Sequence, residues 1–188
     1  KKEIKAVCVV HSETSSGTIS RISKIREAID STNHPALFMV DAISSLGCVE
    51  YQHDKWAVDV TISGSQKGLM LPPGLGLNAV SEKALEASKA ASSRVSYWSW
   101  KEMIDNNQQG VFPYTPATNL LYGLEEALKL LHGEGLSNVY ARHSRLAKAT
   151  RIAVESWGLE NLCVVPKEFS DCLTAVVMPE GHNADNLR

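Results

Sequence analysis

The sequence lacks several features that would each point to a particular class of protein. No apolar run approaches the roughly 20 residues that a membrane-spanning helix needs. No lysine and arginine block suggests a nucleic-acid partner or an anionic membrane surface, and the net charge is only −2. No internal repeat or low-complexity tract is present. A composition that is 44% hydrophobic and 21% charged therefore predicts an ordinary soluble globular protein without nucleic-acid or membrane partners.

Cysteine is scarce, and its spacing is uninformative. The four cysteines are Cys8, Cys48, Cys163 and Cys172. They form no CxxC pair, and each lies in or beside an apolar run, which predicts buried thiols in a reducing compartment. Disulfides or a metal site are the alternatives. Because His53, His132 and His143 also lack the spacing of metal ligands, the sequence predicts no metal ion.

Strands and helices alternate along most of the chain. Apolar, β-branched runs predict strands at 7–10, 36–41, 56–63, 76–81, 162–165 and 173–181. Helical periodicity predicts helices at 20–31, 81–91, 118–135 and 136–158, and an irregular region at 93–116. Ser20 and Ser81 are the expected caps of the first two helices. Continuous apolar strands between helices predict an α/β protein with a parallel-type sheet covered on both faces.

Polar groups follow three of the predicted strands, at the point where each strand ends. They are the loop 11–17 that begins with His11, the carboxylate Asp41, and the stretch 63–67 that ends in Lys67. Ligands of α/β sheets bind beyond the carboxyl ends of the strands. If the strands are neighbours, the three groups are expected to meet in one crevice.

Lys67 and Asp41 together suit one kind of cofactor. A lysine in a Gly/Ser loop is usually solvated, but the apolar flanks of Lys67 predict burial, which would lower its pKa and leave a neutral amine that attacks a carbonyl. Asp41 could instead cap a helix or form an ion pair. In pyridoxal 5'-phosphate (PLP) chemistry, a buried aspartate holds the proton on the pyridine nitrogen. The stretch 63–66 offers hydroxyl and backbone donors for a phosphate, although its glycine spacing excludes a nucleotide-binding loop of the Walker type.

Four motifs carry a resemblance to a known family over essentially all 188 residues. They are "HSETSSG" (11–17), "VDAISSLG" (40–47), "SGSQKGLMLPPGLG" (63–76) and "FPYTPATNLLYGLEEAL" (112–128). At these residues the chain resembles the class V, fold-type I PLP-dependent aminotransferases. The resemblance implies that 1–135 is the C-terminal part of the large PLP-binding domain. Residues 136–188 would begin the small α+β domain.

The resemblance also implies roles for individual residues. Lys67 would bind the cofactor aldehyde and act as the catalytic base, and Asp41 would pair with the pyridine nitrogen. Thr14 would lie near the cofactor ring and its O3′, and Gln66 would contact the phosphate. Thr115 would reach the phosphate of the neighbouring subunit, because the family forms obligate homodimers with shared active sites.

The activity implied is transamination of a small L-amino acid, with serine favoured, against glyoxylate. The products would be glycine and a 2-keto acid, which is hydroxypyruvate when serine is the donor. Alanine–glyoxylate or another small-amino-acid transamination is the alternative within the class. A desulfurase is disfavoured because it needs a mobile loop cysteine, whereas Cys163 and Cys172 are predicted to belong to strands. A non-catalytic α/β ligand-binding module is the alternative outside enzymes.

The chain is interpreted as an internal piece of a longer protein. It begins directly in a buried strand and ends in the first turn of a helix. The family's N-terminal phosphate-binding turn and ring-stacking aromatic would lie outside residues 1–188, as would the arginine that binds the substrate carboxylate. The fragment alone is therefore expected to be inactive. The expected compartment is the cytoplasm, or the peroxisome if the source is a plant or an alga.

Overall fold

The computed structural model describes residues 3–93 and 95–187. The strands are β1 (Ala6–Val10), β2 (Ser12–Glu13), β3 (Thr18–Ile19), β4 (Leu37–Asp41), β5 (Val60–Gly64), β6 (Gly76–Val80), β7 (Glu160–Asn161) and β8 (Val176–Val177). The helices are α1 (Ile22–Ser31), α2 (Glu82–Lys89), α3 (Trp100–Asn107), α4 (Thr118–Glu134) and α5 (Leu136–Ser156). Short 3-10 helices lie at Pro166–Glu168 and Ala184–Leu187. None of these helices combines the length and the apolar character that a membrane crossing requires.

The central sheet has the order β1-β4-β5-β6 and is mixed. Strands β1, β4 and β5 are parallel, as the sequence predicts, but β6 runs antiparallel to β5. The reason is the connection 65–75, because a parallel crossover needs about a dozen residues or more and usually contains a helix. The expectation of a wholly parallel-type sheet is therefore wrong for its last strand.

One hydrophobic cluster holds α1 against the sheet. Phe38 and Val40 alternate along β4 and face Ile22 and Ile29 of α1, with Val58 beside them. All five side chains are almost completely removed from solvent. Burial of one such side chain stabilises the fold by about 1.5–3 kcal/mol. This cluster fixes the position of β4, and therefore of the polar residues that follow it.

A second hydrophobic cluster holds the connection between β5 and β6. Leu69 and Leu71 pack against Ala127 and Leu131 of α4 and Val139 of α5. Both leucines follow Lys67 within the motif 63–76. The two long helices therefore anchor this connection, which we call the lysine loop (residues 65–75).

The predicted serine cap is present at the start of α2 but absent at the start of α1. Ser81 caps α2 as predicted, because its hydroxyl accepts a hydrogen bond from the Ala84 N–H. Ser20 does not cap α1; its N–H donates to the His11 carbonyl (2.8 Å), and the helix begins after Arg21 without a side-chain cap. The region expected to be irregular contains α3, whose cap is Ser99.

The C-terminal strands are shorter than the apolar runs suggested. Strand β7 pairs antiparallel with β8 over two residue pairs, and the run 162–165 lies outside any strand. A proline at 166 starts a 3-10 helix directly after that run, and proline has no N–H to donate to a sheet. Val164 is consequently 83% exposed.

Residues 168–175, which we call the docked segment, lie against the hairpin formed by β2 and β3. The Ser170 N–H donates to the Gly17 carbonyl (2.9 Å), and the hydroxyls of Ser12 and Ser170 are 2.7 Å apart and buried. Gly17 has a φ of 70°, and a Cβ there would come within 3.0 Å of the Ala175 nitrogen. Only glycine fits such a position comfortably.

The other side of the docked segment is held by α5. The guanidinium of Arg151 lies 4.8 Å from the ring centre of Phe169 and donates to a carboxylate oxygen of Asp171 (3.0 Å). Arg151 also donates to the Ser170 carbonyl (3.1 Å). The docked segment is therefore fixed between the hairpin and α5.

Candidate active site

The lysine loop takes its shape from a buried serine. Ser65 is fully buried, and its hydroxyl donates to the Pro72 carbonyl (2.8 Å) and accepts from the Leu75 N–H (3.2 Å). Lys67 then sits in a tight turn, where its carbonyl accepts from the Met70 N–H (2.9 Å) and Met70 has a φ of 62°. Ser65 thus fixes the base of the loop, and the turn presents Lys67.

Lys67 itself is exposed, so the expectation of a buried lysine is wrong. The closely packed position in this turn is that of the next residue, Gly68. A Cβ on Gly68 would lie 2.2 Å from the Leu46 carbonyl oxygen and 2.8 Å from the Cys48 sulfur. The turn therefore places glycine against the protein and directs the lysine outward into a cavity.

This cavity has a volume of about 390 Å³ and lies between the strand ends, α5 and the docked segment. Its lining brings together hydroxyl, thiol, amine and basic groups. They include Thr14, Ser44, Cys48, Lys67, Arg142 and Cys172. Residues from distant parts of the chain therefore meet around the lysine, and Thr14 joins Lys67 as a second member of the predicted site.

Thr14 reaches the cavity from the turn of the β2–β3 hairpin, directly after β2. Its hydroxyl lies 3.1 Å from the hydroxyl of Ser44, and both side chains face the cavity that Lys67 lines. Ser44 belongs to the turn after β4, three residues beyond Asp41. The loops after β1, β4 and β5 thus converge at one edge of the sheet.

Asp41 is the last residue of β4 and is half-buried. Its carbonyl accepts from the His11 N–H (2.8 Å), and one carboxylate oxygen accepts from the Ile43 N–H (2.8 Å). Within the described residues this is the only hydrogen bond of the carboxylate, so its other oxygen is available to an external donor. The register pairs Asp41 with Ile62 of β5, one strand from the lysine loop. Asp41 is not among the residues that line the cavity.

Gln66 and Thr115 also lie outside the cavity lining. The exposed side chain of Gln66 folds back, with its amide oxygen 2.8 Å from the point that a Cβ on Gly64 would occupy. Thr115 is exposed in the segment before α4, next to Tyr114. Gln66 is next to Lys67 in the chain, but neither its side chain nor that of Thr115 lines the cavity.

The hydroxyls of Ser63 and Ser65 are not free phosphate donors, in contrast to the sequence-based prediction. The Ser63 hydroxyl donates to the Ala42 carbonyl (3.3 Å), and the Ser65 hydroxyl donates to Pro72. Both serines are buried. Because both hydroxyls donate to backbone carbonyls, the prediction that they donate to a phosphate is wrong.

His11 is buried below the site rather than open in a crevice. Its Nδ1 lies 2.9 Å from the Ser45 hydroxyl, and its ring packs against Tyr51 and Trp56 at centre distances of 5.3 and 5.8 Å. Burial lowers the pKa of His11 to about 4, so the ring is neutral near pH 7. The sequence could not predict the packing of these aromatic rings around His11, because they are far from it in the chain and follow no local pattern.

Cys172 lies in the docked segment outside any strand, which corrects its expected position. Its thiol faces the cavity together with that of Cys48. The neighbouring Cys48 thiol lowers the pKa of Cys172 to about 7. The same interaction, with burial, raises the pKa of Cys48. No sequence pattern could have placed these two distant thiols together.

The groups at this edge of the sheet suit a pyridine aldehyde. The exposed amine of Lys67 can bind an aldehyde, and Asp41 has an unused carboxylate oxygen for a protonated ring nitrogen. Thr14 and Ser44 add hydroxyls that can contact a phenolic oxygen. The donor set therefore fits the pyridine aldehyde part of PLP.

Comparison with known proteins agrees with this chemistry. The profile of the family described as "Aminotransferase class-V" matches residues 1–188. The chain belongs to the class-V aminotransferases. The structure also shares the fold-type I architecture of this family, since the pyridoxamine–pyruvate aminotransferase of Mesorhizobium loti superposes with a TM-score of 0.91 at 35% identity. That comparison covers 100% of this chain and 48% of the solved structure.

Among curated class-V relatives, serine–glyoxylate aminotransferases share about half of the residues of this chain. The enzyme of Hyphomicrobium methylovorum is 51% identical over 187 residues, which cover 98% of this chain and 46% of that enzyme. The enzyme of Arabidopsis thaliana is 47% identical over 177 residues, covering 94% and 44% respectively. The chain thus spans about half the length of the curated relatives it matches.

Proposed function

We propose that the whole protein is a PLP-dependent aminotransferase that moves the amino group of serine to glyoxylate. The products are hydroxypyruvate and glycine. The observation that carries the proposal is the meeting of Lys67 and Thr14 in one cavity, in a chain 51% identical to a serine–glyoxylate aminotransferase. PLP supplies an electron sink for the charge that develops at the substrate Cα.

The chain's own residues divide the remaining work. The Nζ atom of Lys67 holds the aldehyde of the cofactor and, once released, accepts the Cα proton of the amino acid. The free carboxylate oxygen of Asp41 accepts a hydrogen bond from the protonated ring nitrogen. Thr14 donates to the phenolic oxygen. Gln66 contacts the phosphate after its side chain leaves Gly64.

Thr115 is assigned to a second subunit, in a homodimer with shared active sites. Support comes from its surroundings, because Thr115 is exposed and adjoins a cluster of exposed aromatic residues. The cluster consists of Tyr97, Trp98 and Tyr114, in which the Tyr97 ring contacts the other two. Large exposed apolar groups in contact with each other are typical of protein interfaces.

The domain boundary and the cellular compartment are the remaining parts of the proposal. We propose that residues 1–135 belong to the large PLP-binding domain and that 136–188 begin the small domain, with the boundary at Gly135 between α4 and α5. We place the protein in the reducing cytoplasm, or in the peroxisome of a plant or alga. The four free thiols are consistent with a reducing compartment.

A different small amino acid is the alternative donor. Support comes from two relatives, the L-aspartate–glyoxylate aminotransferase of Paracoccus denitrificans at 41% identity and the alanine–glyoxylate aminotransferase of Nostoc at 31% identity. Glyoxylate is common to both names. Donor profiling of the full-length protein with glyoxylate decides the question, and alanine or aspartate turnover above serine turnover would overturn the serine assignment.

Replacement of the lysine tests the cofactor chemistry itself. In full-length Lys67→Ala, glycine formation should fall by about a thousandfold or more, because the amine that binds the aldehyde and moves the proton is gone. The visible absorption band of the lysine-bound cofactor should disappear. Lys129→Ala is the control, since Lys129 is an exposed helix lysine that forms an ion pair with Glu125. A Lys67→Ala protein that keeps the band would rule out the assignment.

A further inference from the structure

Two thiols line the cavity beside Lys67, and the proposed transamination uses neither. Cys48 lies in the turn region after β4, and Cys172 lies in the docked segment. Both are free, both line the cavity, and their side chains interact. Because they come from distant parts of the chain, their meeting is a product of the fold.

Cys172 is held in place by buried hydrogen bonds. Its N–H donates to the Ser170 hydroxyl (3.1 Å), which in turn lies 2.7 Å from the Ser12 hydroxyl. Ser170 is fully buried, and its N–H is bonded to the Gly17 carbonyl. The position of the Cys172 sulfur at the cavity wall is therefore fixed by the docking of its segment.

Cys48 connects the thiol pair to the lysine. Its N–H donates to the Ser45 carbonyl (2.9 Å), which fixes the turn. Its sulfur lies only 2.8 Å from the point that a Cβ on Gly68 would occupy. Gly68 directly follows Lys67, so a change at the Cys48 sulfur acts on the backbone that presents the lysine.

The ionisation of the pair favours oxidation of Cys172 first. With a pKa lowered to about 7 by the Cys48 thiol, Cys172 is substantially a thiolate at neutral pH, and the thiolate is the nucleophile. Cys48, whose pKa is raised, stays protonated beside it. One reactive thiolate next to a second thiol is typical of redox-sensing cysteines.

We propose that Cys48 and Cys172 form an oxidative modification site, at which a peroxide converts the two thiols to an intramolecular disulfide. The Cys172 thiolate attacks the O–O bond of hydrogen peroxide, giving a sulfenic acid and hydroxide. The Cys48 sulfur then displaces hydroxide from the sulfenic sulfur. In sum, two thiols and one peroxide give one disulfide and two waters, and the peroxide is reduced as the thiols are oxidised.

The disulfide moves the Cys48 sulfur away from Gly68 and towards Cys172. The contact that supports the turn at Lys67 is then lost, and transamination should fall. This last consequence rests on the proposed function, whereas disulfide formation does not. Reduction by a dithiol should restore both the thiols and the activity.

Peptide mapping of the full-length wild-type protein tests the site without any variant. The reduced protein is treated with limiting hydrogen peroxide, free thiols are alkylated, and the unreduced digest is analysed by mass spectrometry. We expect one linked peptide pair containing Cys48 and Cys172, which dithiothreitol separates. Cys8 and Cys163 should be alkylated. A wild-type protein with Cys172 overoxidised and Cys48 alkylated, or with other cysteines linked, overturns the proposal.

Variants test the consequence for catalysis. Peroxide should lower the activity of the wild type and of Cys8→Ser by about tenfold, relative to their untreated forms, and dithiothreitol should restore it. Cys8 is the control because it is an exposed thiol of β1 outside the cavity. Cys48→Ser and Cys172→Ser should show no dithiothreitol-reversible loss. A reversible loss in Cys172→Ser equal to that of the wild type contradicts the link between disulfide and activity.

Discussion

In the turn that carries Lys67, close packing depends on Gly68, which has no side chain. Gly68 presses against the Leu46 carbonyl and the Cys48 sulfur. Gly47, on the other side, has a φ of 81°, and a Cβ added to it would lie only 2.9 Å from the Gly68 carbonyl oxygen. Two glycines thus allow two backbone segments to touch directly. The closeness of these segments is what frees Lys67 to face the cavity.

Substitution of Gly68 should therefore be costly. A Cβ in Gly68→Ala would meet a backbone oxygen at 2.2 Å, so the loop must shift, and we expect a loss of about 1–3 kcal/mol in the free energy of unfolding. The control is Gly133→Ala in α4, where nothing lies within 4 Å of the added carbon. It should stabilise by about 0.5–1 kcal/mol. Urea unfolding of both full-length variants measures the difference, and equal stabilities would contradict the packing argument.

Burial of His11 should make the fold sensitive to acid. The unfolded residue titrates near 6.5 and the folded one near 4, so between these pH values the unfolded chain takes up a proton that the folded chain refuses. The contribution of His11 is complete above pH 6.5 and falls by up to about 3 kcal/mol as the pH drops towards 4.

The matched variant is His11→Asn, which keeps a hydrogen-bonding group for Ser45 but does not titrate in this range. Urea unfolding of wild type and variant across the pH window measures the effect. The wild type should lose more stability on acidification than His11→Asn does. Parallel stability curves for the two proteins would show that His11 is not the source of acid sensitivity.

Among the secondary-structure elements, α2 is joined to the sheet by a buried carboxylate. Asp59 is 5% exposed and accepts hydrogen bonds from the Phe38 N–H (2.8 Å), the Ser81 hydroxyl (2.9 Å) and the Lys83 ammonium (3.1 Å). Burial raises its pKa, but these donors outweigh burial and hold the pKa below the usual value. One side chain thereby links β4, the strand β5 and the start of α2.

Removal of this carboxylate leaves the Phe38 N–H and the Ser81 hydroxyl without their acceptor, whereas Lys83 still donates to the Ala36 carbonyl (2.8 Å). We expect Asp59→Ala to lower the free energy of unfolding by about 2–4 kcal/mol, because buried donors without partners are costly. Glu86→Ala removes an acidic residue from an exposed pair on the same helix and should change stability by less than about 0.5 kcal/mol. Thermal and urea unfolding compare the two, and similar losses would contradict a specific role for Asp59.

Local patterns identified most elements of this fold, and the errors have physical causes. The strands β1, β4 and β5 and the helices α4 and α5 follow from apolar periodicity. The direction of β6 does not, because it depends on how short the preceding loop is. Ser20 has the right chemistry for a cap, but its backbone is bonded to His11, a contact between elements that no local pattern encodes.

At the scale of the whole molecule, the aromatic cluster predicts where the two subunits of the proposed dimer meet. Trp98 is 76% exposed and contacts Tyr97, which packs against Tyr114 next to Thr115. We expect Trp98→Ser to weaken the proposed dimer, because aromatic side chains often dominate interface energies. Light scattering and sedimentation of the full-length protein measure the mass at each concentration.

Trp157→Ser is the matched control for that experiment. Trp157 is 72% exposed, much like Trp98, but it lies at the end of α5 and outside the aromatic cluster. It should leave the dimer intact. A dimer that survives Trp98→Ser unchanged, or dissociates equally in both variants, would contradict the assignment of the interface to this cluster.

The sequence supplied only part of the candidate site. Lys67 and Asp41 could be proposed because strand ends and polar loops are local patterns, and sheet topology brings such ends together. Thr14 could be proposed only through the resemblance to the family. The burial of His11 and the position of Cys172 depend on contacts across the fold. Burial of Lys67 was wrongly expected because apolar flanks do not reveal that the turn directs its side chain outward.

The hydrogen bond between Ser12 and Ser170 has a consequence for synthesis on the ribosome. Its two partners are separated by 158 positions along the chain. At usual elongation rates, the second serine emerges on the order of ten seconds after the first. The hairpin that carries Thr14 therefore lacks this contact until Ser170 has been translated.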